Sequence, residues 1–219
     1  MKFGRSKAVL LAALFALVLS APAYAAVLYS QPYSNNEFPL YASQNDVGGL
    51  LNFANTYDNW NINPGGLYTV DEVQFTGGYI QGSAGAITGW TVNVYFDSGG
   101  KPGTLQHTAH INGNGGETLL ADNIYTYDIK GLGFQELSLI PYWLSVVPDL
   151  SIGRGQWGWA TGTGGDGAGY QDYFDQHGSI SNDLAFTLIG PTTIPEPGTL
   201  VMLGTGVLGL AGVIRRKLF

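Results

Sequence analysis

From Trp90 to Phe96 the side chains alternate without a break: Trp90, Val92, Val94 and Phe96 are apolar, and Thr91, Asn93 and Tyr95 stand between them. A repeat of two is the signature of a strand with one buried face, and it commits this stretch to a sheet. Ser98-Gly99-Gly100-Lys101-Pro102-Gly103 follows as a tight turn. The same reading predicts strands over 67–76, 79–81, 104–111, 118–121, 124–129, 134–140, 142–147, 156–161 and 184–189. Val27 to Tyr33 reads as an opening edge strand, because Pro32 cannot donate to a ladder. Nowhere between these runs is there an amphipathic helix long enough for a crossover. The expected fold is therefore all-β, an antiparallel sandwich of jelly-roll form. No repeat of fixed period occurs, which excludes a propeller or a solenoid.

The two ends of the chain follow a different rule. Lys2, Arg5 and Lys7 precede the apolar stretch Ala8 to Leu19, and Ala23 and Ala25 place small residues where signal peptidase requires them. Residues 1–25 read as a signal helix cut after Ala25. No Arg-Arg pair occurs near this start, so the general export machinery is expected to carry the chain unfolded. At the other end Gly198 to Ile214 is an uncharged run of 17 residues, about 25 Å as a helix and so at the short limit for crossing hydrocarbon. Arg215, Arg216 and Lys217 follow at once, and such charge stays on the cytoplasmic side, leaving everything before Pro195 outside. The expected organisation is a signal peptide at 1–25, a sandwich domain at 26–190, and a linker with a membrane-spanning sorting segment at 191–219.

Pro195-Glu196-Pro197, the short Gly- and Leu-rich run to Ile214 and the basic cluster Arg215-Arg216-Lys217 resemble, in that order, the PEP-CTERM sorting signal of Gram-negative bacteria. Gly198 departs from the Ser or Ala usual there. The resemblance implies recognition by exosortase, a membrane-embedded cysteine transpeptidase-like enzyme, with cleavage near the triplet. Transient anchoring in the inner membrane and delivery to the cell surface or the exopolysaccharide matrix would follow. It covers about 25 residues and leaves the exported domain unexplained. The stretch from Val70 to Ile189 is similar more loosely to uncharacterised exported sandwich domains that accompany this signal, through Gly100-Lys101-Pro102-Gly103, Tyr142-Trp143-Leu144-Ser145-Val146 and Trp157-Gly158-Trp159. That likeness implies a fold and no activity.

Charge narrows the partners. Residues 26–194 hold only Lys101, Lys130 and Arg154 against fifteen acids, a net charge of −12. Such a surface repels polyanions, and binding nucleic acid needs clustered Lys and Arg, so nucleic acid is excluded as a partner. Uronate-rich polysaccharide would need divalent bridges. The absence of cysteine removes disulfides, thiol nucleophiles and thiolate metal sites together, so stability must come from the core.

Catalytic constellations are sparse. No Gly-x-Ser-x-Gly elbow is present, Asp71 and Glu72 adjoin on a strand and point apart, and His107 and His110 face opposite sides of theirs. Gly162 to Gly169 reads as a long mobile loop without the Lys and helix of a phosphate cradle. Asp166, Asp172 and Asp175, beside His177, are candidate oxygen ligands for calcium, or else a solvated acidic loop. Aromatics are the richest material: Trp60, Trp157 and Trp159 are candidates for stacking on sugar rings, or else core. Two functions stay open. One is a non-catalytic surface or matrix protein, structural or glycan-associated in exopolysaccharide and biofilm, with no cofactor unless calcium. The other is an extracellular polysaccharide hydrolase or lyase.

Overall fold

A computed structural model describes residues 25–35, 39–49 and 51–191, with Ala26–Pro191 forming one compact unit. The signal segment, Pro195-Glu196-Pro197 and Arg215-Arg216-Lys217 lie outside the described residues. Fourteen strands and no helix occur among those residues: β1 (Ala25–Gln31), β2 (Leu40–Ala42), β3 (Gln44–Asp46), β4 (Leu51–Trp60), β5 (Leu67–Gly82), β6 (Gly89–Asp97), β7 (Pro102–Asn112), β8 (Thr118–Ala121), β9 (Ile124–Leu137), β10 (Tyr142–Asp149), β11 (Gly155–Ala160), β12 (Gly169–Tyr173), β13 (Gln176–Ile180) and β14 (Phe186–Pro191). They make two seven-stranded sheets. The first is built on β5, the longest strand, which carries β9 along one edge and β14 and then β11 along the other; β8 extends β9, and β1 and β2 close the far edges. The second runs β13-β12-β4-β10-β6-β7, with β3 wedged between β4 and β10 where these part.

An aromatic core joins the sheets. Phe75, Tyr127, Trp157 and Trp159 come from the first, Trp90, Trp60 and Tyr142 from the second, and all are 2% exposed or less. Phe75 meets Trp90 edge to face at 4.8 Å and stacks on Tyr127 at 5.2 Å; Trp90 meets Trp157 at 5.1 Å. Quadrupoles favour edge-to-face and offset-stacked contacts of this kind over a direct face-to-face sandwich, and each adds about 1 kcal/mol to plain burial. The Trp157 ring occupies the place where a side chain on Gly77 would lie, which accounts for glycine in the middle of β5.

The alternating stretch is β6, with Trp90, Val92 and Val94 inward as expected. Two pairs of expected strands merge. The strands at 67–76 and 79–81 are one, since β11 and β9 flank Gly77 and Gly78 on both sides, and those at 124–129 and 134–140 join through Gly131 and Gly133, both at positive φ. Five strands were not expected at all: β2, β3, β4, β12 and β13. No helix among the described residues is long and apolar enough to cross a membrane, and Gly198 to Ile214 lies outside them.

Candidate functional site

The outer face of the first sheet carries a polar ladder assembled from four strands. Across one row Thr187, Gln74 and Asp128 stand side by side on β14, β5 and β9; two residues on, Thr76, Thr126 and Thr118 stand on β5, β9 and β8. Residues two apart along a strand share a face, and cross-strand partners lie close enough to act together. Pro32 and Tyr33, following β1, wall one side, and an open groove of about 490 Å³ results. Hydroxyls of four threonines, the Gln74 amide and the Asp128 carboxylate give it donors and acceptors at short intervals, the donor set that a polyhydroxylated ligand meets best.

The electrostatics of this face are locally balanced. Lys130 Nζ lies 2.9 Å from Asp128 and 3.6 Å from Glu72, and Gln74 donates to the same Glu72 at 2.6 Å. Asp128, first, and then Glu72 raise the pKa of the Lys130 ammonium. Asp128 Oδ2 faces this ammonium, while its Oδ1 is screened from water without a hydrogen-bond partner. One of only three cations in an acidic domain is thus held beside the groove.

The candidates from sequence fall elsewhere. Trp60, Trp157 and Trp159 are 2%, 0% and 0% exposed, so their rings face other core residues and offer no platform to a sugar. This corrects the stacking expectation: Trp157 and Trp159 do share a face of β11, but it is the inner one. Asp166, Asp172 and Asp175 are not brought together, and among the described residues no group of three His, Asp or Glu side chains could hold a metal ion. Asp172 and Asp175 belong to the hairpin β12–β13, with Asp172 on a strand paired to His177, and Asp166 precedes that hairpin. Asp172 accepts from the Tyr57 hydroxyl at 3.0 Å and meets His177 Nδ1 at 2.7 Å; Asp166 accepts from Asn59 Nδ2 at 2.9 Å. Burial, then Tyr95 and Asp172, push the Tyr57 hydroxyl far above its ordinary pKa. The glycine loop before this hairpin is pinned rather than free, because Asp183 accepts from Gly165 N at 3.0 Å and Gly167 N at 2.7 Å. His107 and His110 have separate carboxylate neighbours, Glu136 and Asp149.

Sequence reasoning missed the buried carboxylates Asp58 and Glu136, and a half-buried one, Glu117. Asp58 is fully buried, and its oxygens accept from Asn59 N and Leu184 N. Burial pushes it up to about 9 against the pull of those two N–H groups. Glu117 receives the hydroxyls of Tyr79 at 2.6 Å and Tyr127 at 3.1 Å, and Tyr127 in turn accepts from Trp157 Nε1. Glu136 is 0% exposed with no well-formed hydrogen bond to either oxygen, and burial pushes it up to about 7. The polar ladder was missed as well. Its only local sign was the alternation of Gln74 with Thr76 and of Thr126 with Asp128, which any solvated face of a strand shows.

No curated protein matches the chain. Residues 193–217, by contrast, match the PEP-CTERM protein-sorting motif over the triplet, the uncharged run and the basic cluster. On that match the chain is an exported, exosortase-sorted protein that passes through a membrane-anchored state on its way to the cell surface, and the two-sheet β unit is its cargo.

Proposed function

We propose that the exported domain is a non-catalytic, glycan-associated component of the exopolysaccharide matrix or cell surface of a Gram-negative bacterium, a jelly-roll-like sandwich released from a signal helix and a C-terminal anchor helix. The observation that carries this reading is the groove of Thr76, Thr118, Thr126, Thr187, Gln74 and Asp128, walled by Tyr33. Neutral hydroxyl and amide donors suit an uncharged sugar chain, and the −12 charge disfavours a polyanionic one. The alternative, a hydrolase or lyase, asks for two opposed carboxylates roughly 5 to 10 Å apart across a cleft. Here Asp128 and Glu72 stand on neighbouring strands of one sheet face and both turn to the single Lys130 ammonium, which is not the opposed arrangement that such an enzyme needs.

Binding to an array of bacterial polysaccharides tests the reading. Thr126→Arg places a long charged chain in the groove; it should weaken the best glycan at least tenfold, about 1.4 kcal/mol. The urea midpoint should stay where it was, since Thr126 is a partly exposed surface residue. Binding that survives Thr126→Arg unchanged excludes the groove, and a fall in polysaccharide chain length during incubation favours the enzyme.

Sorting has its own test. Replacing Pro195-Glu196-Pro197 by alanines should leave export intact, because the N-terminal segment directs it, and hold the protein in the membrane fraction. Equal release of variant and wild type would separate the triplet from processing.

A further inference from the structure

One pole of the β unit is apolar in a way the groove and the sorting motif leave unexplained. Leu67 opens β5 and pairs with Leu137 at the end of β9; they are 63% and 54% exposed. Leu139 and Ile140 follow in the turn to β10, at 61% and 37%, and Phe96 joins them at 40%, held near by the bond from Asp97 N to Pro141 O. Leu139 has φ of +66°, a conformation that costs a non-glycine residue about 1 kcal/mol or more, and the turn spends it on placing a leucine in water. Exposed apolar residues scattered singly mean little, whereas a contiguous group at one end marks a contact surface.

Charge sets this pole apart from the rest of an acidic domain. The segments 61–67, 96–105 and 137–141 contain one carboxylate and one ammonium, Asp97 and Lys101. The Asp97 oxygens are engaged within the chain, accepting from Gly99 N, Gly100 N and Trp143 Nε1. Apart from Lys101, what faces out is uncharged, and Leu67, Phe96, Leu105, Leu137, Leu139 and Ile140 make up its apolar part.

The chain also leaves the domain here. β14 runs antiparallel to β5 with Ile189 opposite Glu72, and Gly190 packs against the Thr69 carbonyl, so Pro191 ends within two or three residues of Leu67. Six residues separate Pro191 from the uncharged run that begins at Gly198, and fully extended they reach about 20 Å. Whatever surface that run enters lies within a short tether of this pole.

We infer that the pole formed by Leu67, Phe96, Leu137, Leu139 and Ile140 docks on the outer leaflet of the lipid bilayer while the chain is still anchored, presenting the triplet at the membrane surface. The inference rests on the reading of residues 198–214 as a membrane anchor. A neutral, leucine-bearing pole inserts shallowly at a zwitterionic interface, as apolar side chains do at the headgroup boundary. The remaining acidic surface is repelled by anionic lipid and turns away.

The absence of cysteine makes the test direct. Full-length protein with Leu139→Cys, and separately Leu67→Cys, carries an environment-sensitive fluorophore in phosphatidylcholine vesicles with brominated acyl chains. Val47→Cys, exposed beside β3 at the opposite end, is the control. Brominated lipid should quench both pole labels about twofold or more and leave position 47 bright, in protein that floats with the vesicles. Floating protein whose pole labels are as wet as position 47 overturns docking and leaves the anchor standing. Pole labels that are dry yet unquenched by brominated lipid, more so as the protein-to-lipid ratio rises, overturn docking and assign the pole to a second copy of the chain. Protein that does not float removes the anchor and the docking together.

Discussion

Trp157→Ala will cost the domain about 4 kcal/mol, within the usual range for deleting a buried tryptophan. The ring is 0% exposed and meets Trp90 at 5.1 Å, Tyr127 at 5.8 Å and Phe75 at 6.2 Å. Its Nε1 donates to Tyr127 at 3.1 Å, and Tyr127 passes its own proton toward Glu117. Truncation therefore opens a void between the sheets and removes one member of a buried hydrogen-bond chain, two penalties that add. Gly77, whose missing side chain made room for the indole, cannot fill that void. A domain stable by about 5 to 15 kcal/mol loses about a quarter or more of its margin. Trp157→Phe keeps most of the buried area and should cost about half as much or less. Urea unfolding of the two variants reads this, with glycan binding measured on the folded fraction. A Trp157→Ala protein with an unchanged midpoint and lost glycan binding would return the side chain to the surface role that its place in the sequence first suggested.

Glu136 gives stability an inverted pH dependence. Its carboxyl is pushed up to about 7 in the folded domain by burial, with the Tyr142 hydroxyl pulling weakly the other way, against an ordinary 4.5 in the unfolded chain. The folded state therefore binds the extra proton between these values, and stability falls as pH rises from about 4.5 to 7 and stays low above. The difference of some 2.5 pH units corresponds to about 3 kcal/mol. The groups facing Glu136 are His107 on β7, with Nε2 at 3.5 Å, and Tyr142 on β10. Glu136→Gln removes the titration while keeping the shape. Its urea midpoint should exceed that of wild type at pH 8 and match it near pH 4, where both side chains are neutral. Two curves that stay parallel from pH 4 to 8 would show that Glu136 does not titrate in this window.

How far the fold could be read from the chain depended on whether each strand carried its own pattern. β6 and β8 were legible because apolar alternation or flanking turns mark them locally. β4 was not, although it is central to the second sheet. Its inward positions include Thr56 and Asp58, both 0% exposed, so polar residues interrupt the apolar alternation that would have marked the strand. Asp58 is buried because it accepts the N–H of Leu184, a partner 126 residues away. The hairpin β12–β13 was hidden for the opposite reason: Gly169, Asp172, Asp175 and Gly178 are turn and loop residues by composition, and only pairing with β4 makes a strand of them.

Residues 193–217 needed no tertiary context, because a triplet, an uncharged run and a basic cluster are contiguous and are read by a membrane and its enzyme before any domain matters. The all-β class was likewise determined by period-two alternation and glycine turns, which are local properties. Which face of a strand looks inward was not. Trp157 and Trp159 alternate correctly for either face, and β11 turns them in only because β5 on one side and β2 on the other fix its register. Thr187, Gln74 and Asp128 become neighbours through the same kind of pairing across 113 residues of chain. Register is settled by the sum of burial over whole sheets, and no short stretch of sequence contains that sum.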